Sequence, residues 1–251
     1  MITAVSLGDY GLYFGLTLVL STLFAMGGVG SAIALVPSLS MAGMAFDLAR
    51  ALGLFVNTAA TAAASVTHLR HGMLDVRFAL PLALALLVAT PIGAWSSQFV
   101  AHGVLEAILI GFLIVAVLLL LIPRRPTLVQ STSVGPLLAI GAGVGVISGM
   151  LGVGGGTLLM PALILLGHDA KKAARAIGFV IPFSTAGAFL TYLSFTQMDW
   201  LLLGVVAVAA ILGGYLGATI LHRGLSAAHV KKLIAVLLLA LAAKMIWGLV
   251  A

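Results

Sequence analysis

The chain has 251 residues, 63% of them hydrophobic and only 7% charged, with no cysteine and a formal net charge of +6. A soluble domain carries roughly 25% charged residues, so a water-facing globule is excluded and the bilayer is the expected solvent. Disulfides, thiolate metal sites and cysteine nucleophiles are excluded as well, and the positive charge is attributed to cytoplasmic loops rather than to a nucleic-acid surface.

The N-terminal stretch "MITAVSLGDYG" lacks a basic region, which predicts no cleaved signal peptide. Apolar runs then cover 11–44, 47–69, 76–98, 103–122, 135–167, 170–195, 199–221 and 226–250. A spanning helix needs about 20 residues. Six runs fit one helix each. The runs 11–44 and 135–167 are too long for one crossing and too short for two, and both carry a glycine cluster near the middle. Pro91 kinks 76–98 without polar company and is taken as structural.

The two long runs are copies of each other. "MGGVGSAIALVP" (Met26–Pro37) lies over "MLGVGGGTLLMP" (Met150–Pro161), and "RALG" (Arg50–Gly53) over "RAIG" (Arg175–Gly178) one inserted residue later. The chain therefore divides into a first repeat at 1–122, a linker at 123–134 containing "PRRPTLVQSTS", and a second repeat at 135–251. If each long run crosses once, the basic residues split five against seven. If each run returns to the side it entered, Arg70, Arg77, Arg124, Arg125, Lys171, Lys172, Arg175, Arg223, Lys231 and Lys232 share one face, and only Arg50 and Lys244 lie opposite. The second pattern is the one expected of cytoplasm against outside.

The expected fold is an all-α membrane protein of two inverted repeats. Each repeat has a re-entrant or broken helical hairpin plus three transmembrane helices, and both termini lie outside the cytoplasm. Whether the long runs are re-entrant hairpins or broken spanning helices stays open at this stage.

Glycine permits a turn inside the membrane, and non-helical backbone at that depth survives only if buried or lining a cavity. The turns fall at "GGVGS" (Gly27–Ser31) and "GVGGGT" (Gly152–Thr157). After each one a new half-helix starts with unpaired N–H groups and a positive dipole end. Two such ends meeting at the midplane make an anion site built from backbone. Its expected members are Gly28, Val29, Gly30 and Ser31 in the first copy, and Gly154, Gly155, Gly156 and Thr157 in the second. Gly141, Gly145 and Gly149, like Gly213 and Gly217, recur every four residues and are assigned to helix packing. "GVGGGT" lacks the third glycine of a dinucleotide fingerprint, and no glycine-lysine pair exists for a phosphate loop.

Asn57, Thr58 and Thr61 lie at the centre of 47–69, and Pro182, Ser184 and Thr185 at the centre of 170–195. Asn57, Thr58, Pro182, Ser184 and Thr185 join the expected substrate lining, with helix-to-helix hydrogen bonding as the alternative. The six carboxylates Asp9, Asp47, Asp75, Glu106, Asp169 and Asp199 lie near segment ends, most of them as helix caps. "HLRH" (His68–His71) reads as a solvated loop rather than a metal site. Arg50 and Arg175 are repeat partners that either draw an anion into a vestibule on each side or snorkel to headgroups.

"GMLGVGGGTLLMPALILLG" followed by "KKAARAIG" resembles the sulfite exporter TauE/SafE family of bacterial and archaeal membrane proteins. "ALGLFVNTAATAAASVTHLRHGMLDVRFALPLALALLVATPIGA" is similar to the same family's second and third segments. The first copy departs from the pattern, with "GGVGSA" in place of a fuller glycine run. The resemblance covers about 14–250. It implies export of a small sulfur-containing anion, sulfite or an organosulfonate, across the cytoplasmic membrane.

The expected activity is therefore secondary transport by alternating access, with no enzyme activity, no metal and no cofactor. Its partners are the anion, protons as coupling ion or carried on the substrate, and the lipid bilayer. Nucleic acid is excluded, and a homodimer is an open assembly. The alternatives are a channel-like anion uniporter and an intramembrane hydrolase with Ser31 as nucleophile. The hydrolase is disfavoured because no histidine or carboxylate lies at mid-depth to serve as base.

Overall fold

The structure is a computed structural model that describes residues 7–27, 30–70, 75–121, 134–168, 170–222 and 227–250. The expected linker, apart from Val134, lies outside the described residues, as do Gly28 and Val29.

In lipid every backbone polar group must be satisfied within its own segment, and the apolar runs accordingly fold as helices. These are α1 (Leu7–Gly27), α2 (Ala32–Met41), α3 (Phe46–Arg70), α4 (Val76–Ser96), α5 (His102–Leu121), α6 (Val134–Leu151), α7 (Gly156–Leu165), α8 (Ala170–Leu193), α9 (Trp200–His222) and α10 (Ala227–Val250). The described residues contain no strand. Six helices, α1, α4, α5, α6, α8 and α9, are long and apolar enough to cross a membrane. Leu84, Val88, Ile211 and Trp247 are among many large apolar side chains left exposed on the outside, a surface suited to lipid rather than water.

Two of the expected caps are present. Asp75 accepts from the Phe78 N–H at 3.2 Å at the start of α4. Asp199 accepts from the N–H groups of Leu201 and Leu202 at 2.9 and 3.1 Å at the start of α9. A hydrogen bond from Lys172 is the main cause that holds the Asp75 carboxyl below its ordinary value.

Each of the two long runs divides at its glycine cluster into a longer and a shorter helix. The first arms, α1 and α6, have 21 and 18 residues, and the second arms, α2 and α7, have 10 each. At 1.5 Å per residue the first arms are about 32 and 27 Å long and the second about 15 Å. The glycines break the helix, but the apolar sequence before them is long enough to extend the first arm to full span length.

The second arms end alike. Gly43 and Gly167 have φ of 95° and 84°. Met44 N–H bonds to the Leu39 carbonyl at 3.1 Å, and His168 N–H to the Leu163 carbonyl at 3.1 Å. Each of these atoms has its counterpart 124 residues on, the same offset as the sequence copies.

Glycines set the closest helix contacts. A Cβ placed on Gly141 would lie 2.8 Å from the Ala85 Cβ, and one on Gly145 2.7 Å from the Ala89 Cβ. On Gly149 it would strike the Thr90 carbonyl. These contacts advance together, so α6 runs parallel to α4. On α9, a Cβ at Gly213 would lie 2.7 Å from the Leu18 carbonyl, and one at Gly217 would collide with the Thr22 carbonyl. Tyr10 donates to Asp199 at 2.6 Å, so α1 runs parallel to α9. The five glycines assigned to packing do pack, and each stripe joins a helix of one half to a helix of the other.

At the centre α3 and α8 run antiparallel. The Arg50 guanidinium lies over the Tyr192 ring, the Phe55 ring on Phe189, and Thr58 against Thr185. α8 is parallel to α4, with Lys172 paired to Asp75 at 2.8 Å and Gly187 against Pro91. The end of α7 returns to the start of α4, where the His168 and Phe78 rings are 4.5 Å apart.

Candidate substrate site

The second glycine break is a turn that other residues would strain. Gly152 and Gly154 have φ of 70° and 72°, the left-handed region that side chains rarely adopt. α6 closes through Val153 N–H to the Ser148 carbonyl at 3.2 Å. α7 then begins, with the Leu159 N–H bonded to the Gly155 carbonyl at 2.9 Å. In the first break, Ser31 is buried and makes no side-chain cap bond. Its carbonyl accepts from Ala34 and Leu35 at 3.1 and 3.0 Å as α2 begins.

The two breaks meet at one side chain. Asn57, mid-way along α3, is 2% exposed. A Cβ on Gly30 would strike its Oδ1, and a Cβ on Gly154 would strike its Nδ2. The carboxamide therefore lies between the glycine tips of the two halves. Its Oδ1 has no hydrogen-bond partner among the described residues. Thr58 and Thr185, one from each half, bring their hydroxyls to 2.8 Å of each other beside it. Thr185 and Ser184 also donate to the Ile181 carbonyl at 2.9 and 3.0 Å. Pro182, which follows, has no N–H to extend the ladder. Gly53, one turn before Asn57, meets both halves: a Cβ there would lie 2.9 Å from Val36 Cγ2 and 3.3 Å from the Gly152 carbonyl.

Of the expected lining, the structure brings Gly30, Asn57, Gly154 and Thr185 into contact, with Thr58 hydrogen-bonded to Thr185, while Ser184 is buried and bonds to the Ile181 carbonyl of its own helix. Gly155 and Gly156 point elsewhere. A Cβ on Gly155 would face Val144 at 3.0 Å, Leu86 at 3.2 Å and Ser148 at 3.3 Å. A Cβ on Gly156 would strike Ile181. A methyl group at Gly155 would thus enter the α4–α6 packing. Thr157 is half-buried one residue into α7.

Arg50 departs from both expectations made for it. It is 1% exposed, so it neither opens to a vestibule nor snorkels to headgroups. Its Nη1 donates to the Met150 carbonyl at 2.6 Å, and its Nη2 pairs with Asp47. Its guanidinium lies 4.7 Å from the Phe46 ring centre and 5.0 Å from that of Tyr192. The Tyr192 hydroxyl donates to the Gly149 and Met150 carbonyls at 3.1 and 2.9 Å. Both residues thus cap the Met150 carbonyl at the end of α6, while the Gly149 carbonyl also accepts from the Gly152 N–H at 3.3 Å. The Arg50 stem fills the space a side chain on Gly152 would need. Arg175, its repeat partner, is half-buried on α8.

Tyr192, Gly53 and Ser148 escaped the sequence reading. The doubled "RALG"/"RAIG" was the one available signal for Gly53. Among the described residues no cluster of three His, Asp or Glu side chains is arranged to hold a metal.

Comparison with known proteins agrees with this architecture. The family profile described as Sulfite exporter TauE/SafE matches residues 13–245. A probable membrane transporter protein, y4hK, of Sinorhizobium fredii is 27% identical over 242 residues, covering 91% of this chain and 95% of the relative. A second, ORF9 of a Sinorhizobium species, is 30% identical over 203 residues, covering 77% of this chain and 74% of the relative. A third, YunE of Bacillus subtilis, is 34% identical over 84 residues, a third of this chain and 31% of the relative. No solved structure matches the chain.

Proposed function

The chain belongs to the sulfite exporter TauE/SafE family of multi-pass membrane transporters, and on that premise we propose that it exports a small sulfur-containing anion, sulfite or an organosulfonate, by alternating access about its two glycine tips. The observation that carries this reading is the Asn57 carboxamide, buried between Gly30 and Gly154 where two helices begin. Helix starts present N–H groups and a partial positive charge. They attract an anion without a fixed cation, which would hold it too tightly to release and is costly at mid-depth. Both tips pack against the buried Asn57, as an occluded state of alternating access would require. Arg175, half-buried on α8, is the candidate to draw anions in from its side. Protons are the proposed coupling ion.

The two halves are proposed to be inverted. In support, the equivalent helices α3 and α8 run antiparallel, while α1 pairs in parallel with α9 and α4 with α6. The second hairpin opens toward the end of the molecule where α4 and α8 begin. The first opens toward the turn between α8 and α9, reached by Tyr10 on α1 and Arg50 on α3. Arg50, one of the two basic residues opposed to the charge asymmetry, has a packing reason to be there. On this arrangement both termini face away from the cytoplasm of a bacterial or archaeal cell.

Two experiments test these proposals. The cysteine-free chain allows single-cysteine labelling: Thr127→Cys and Ser226→Cys should react with an impermeant thiol reagent only from the cytoplasmic side, and Ala4→Cys only from outside. Labelling of positions 4 and 127 from one side would overturn the inversion. For the site, proteoliposomes should release radiolabelled sulfite, and Asn57→Leu should slow that release by about ten-fold or more, roughly 1.4 kcal/mol. Unchanged flux in the variant would remove Asn57 from the site.

A further inference from the structure

Every contact that places Asn57 between the tips concerns its carboxamide, and that group carries opposite chemistry at its two ends. The amide nitrogen donates and the carbonyl oxygen only accepts. Whichever way the amide is turned, one tip faces a donor and the other an acceptor. The Oδ1 is buried without a partner among the described residues.

The hydroxyls nearby do not supply the missing donor. Ser184 donates to the Ile181 carbonyl, and the single protons of Thr58 and Thr185 are taken up between the Leu54 and Ile181 carbonyls and the hydrogen bond the two hydroxyls share. The rest of the site, helix starts and the amide nitrogen, consists of donors. A fully ionised oxoanion satisfies those donors but sets a lone pair against Oδ1. A ligand that satisfies the whole site has anionic oxygens and one O–H.

The charge balance points the same way. The ionisable groups on the helices packed around Asn57 include Asp47 and Arg50 on α3 and Lys172, Arg175 and Tyr192 on α8; Lys172 pairs with Asp75 at the start of α4, and Tyr192 donates to the Gly149 and Met150 carbonyls. Arg50 is already paired with Asp47. One negative charge is within the capacity of two helix ends, each equivalent to about half a unit charge. A second is not.

We propose, resting on the anion-transport reading above, that the site selects oxoacid monoanions that retain one O–H, hydrogen sulfite in its hydroxyl form being an example, over dianions and over sulfonates that lack an O–H. The substrate would then carry its own proton across, and no titrating side chain would be needed at mid-depth. Asn57 is the specificity-determining residue: its carbonyl takes the substrate's O–H and its amide the substrate's anionic oxygen.

The test is equilibrium binding of radiolabelled sulfite to the full chain in nanodiscs, with methanesulfonate and sulfate as competitors. Sulfite exchanges its last proton near neutral pH. Its apparent affinity should therefore fall about ten-fold from about pH 6 to about pH 8, following its protonated fraction. At the lower pH methanesulfonate, a monoanion of similar size without an O–H, should compete at least about ten-fold more weakly than unlabelled sulfite, and sulfate more weakly still. Asn57→Leu should bind weakly and lose both preferences. Equal competition by methanesulfonate, or a flat pH profile in the native protein, overturns the proposal and leaves the anion site standing. Absence of binding by every anion overturns the anion site itself, and the proposal with it. The native measurements decide the matter even where the variant does not fold.

Discussion

Arg50→Met should lower the stability of the detergent-solubilised protein by about 3 kcal/mol. A hydrogen bond to a charged group contributes about 1.5–3 kcal/mol, and a guanidinium over an aromatic ring about 0.5–1 kcal/mol or more when desolvated. Arg50 makes the first with the Met150 carbonyl and the second with both Phe46 and Tyr192. Methionine fills much of the same space, so the loss is chiefly polar. Arg50→Lys should recover less than half, because an ammonium cannot hold Met150, pair with Asp47 and stack as the planar guanidinium does. Tyr192→Phe should cost only about 1 kcal/mol, since Arg50 still caps Met150. Thermal unfolding of the three variants measures the order. A melting temperature for Arg50→Met equal to that of the native protein would show that the clamp does not hold the hairpin.

That clamp marks the limit of what could be read from sequence. The helices were legible because lipid forces apolar runs of spanning length to close their own hydrogen bonds. The packing stripes were legible because Gly141, Gly145 and Gly149 repeat at helical spacing. Asn57 was legible as a lone amide at the centre of an apolar run. The partner of Arg50 was not, because it is a backbone carbonyl 100 residues away, and any residue type supplies a carbonyl. Arg50 therefore looked like a surface cation at a helix end. The unequal arms of the hairpins were hidden for a related reason. The sequence before each break is uniformly apolar, so composition marks where a helix stops but not how long an arm precedes it. Nor does a glycine announce which direction its missing side chain would take. Gly154 and Gly155 are neighbours, yet one faces Asn57 and the other the α4–α6 packing.

That difference in direction separates binding from packing experimentally, and three single-methyl variants should behave differently. In Gly30→Ala the three atoms nearest the added carbon all belong to the Asn57 side chain, which can swing aside. Stability should change little, while sulfite affinity falls by about ten-fold or more, roughly 1.4 kcal/mol, because the carboxamide is pushed off the site. In Gly149→Ala the added carbon meets the Thr90 carbonyl. Backbone cannot withdraw unless α4 and α6 separate, so stability should fall by about 1–3 kcal/mol, with affinity retained in the folded fraction. In Gly155→Ala the nearest atoms are side-chain ends at 3.0–3.3 Å. They have to give by only a few tenths of an ångström, and both quantities should stay near native. Sulfite binding and thermal unfolding on the same three purified proteins give the comparison. Native affinity in Gly30→Ala, or a loss in Gly155→Ala as large as in Gly30→Ala, would mean that the anion does not meet the protein at Asn57. The glycine tips would then serve only to let the two halves pack closely.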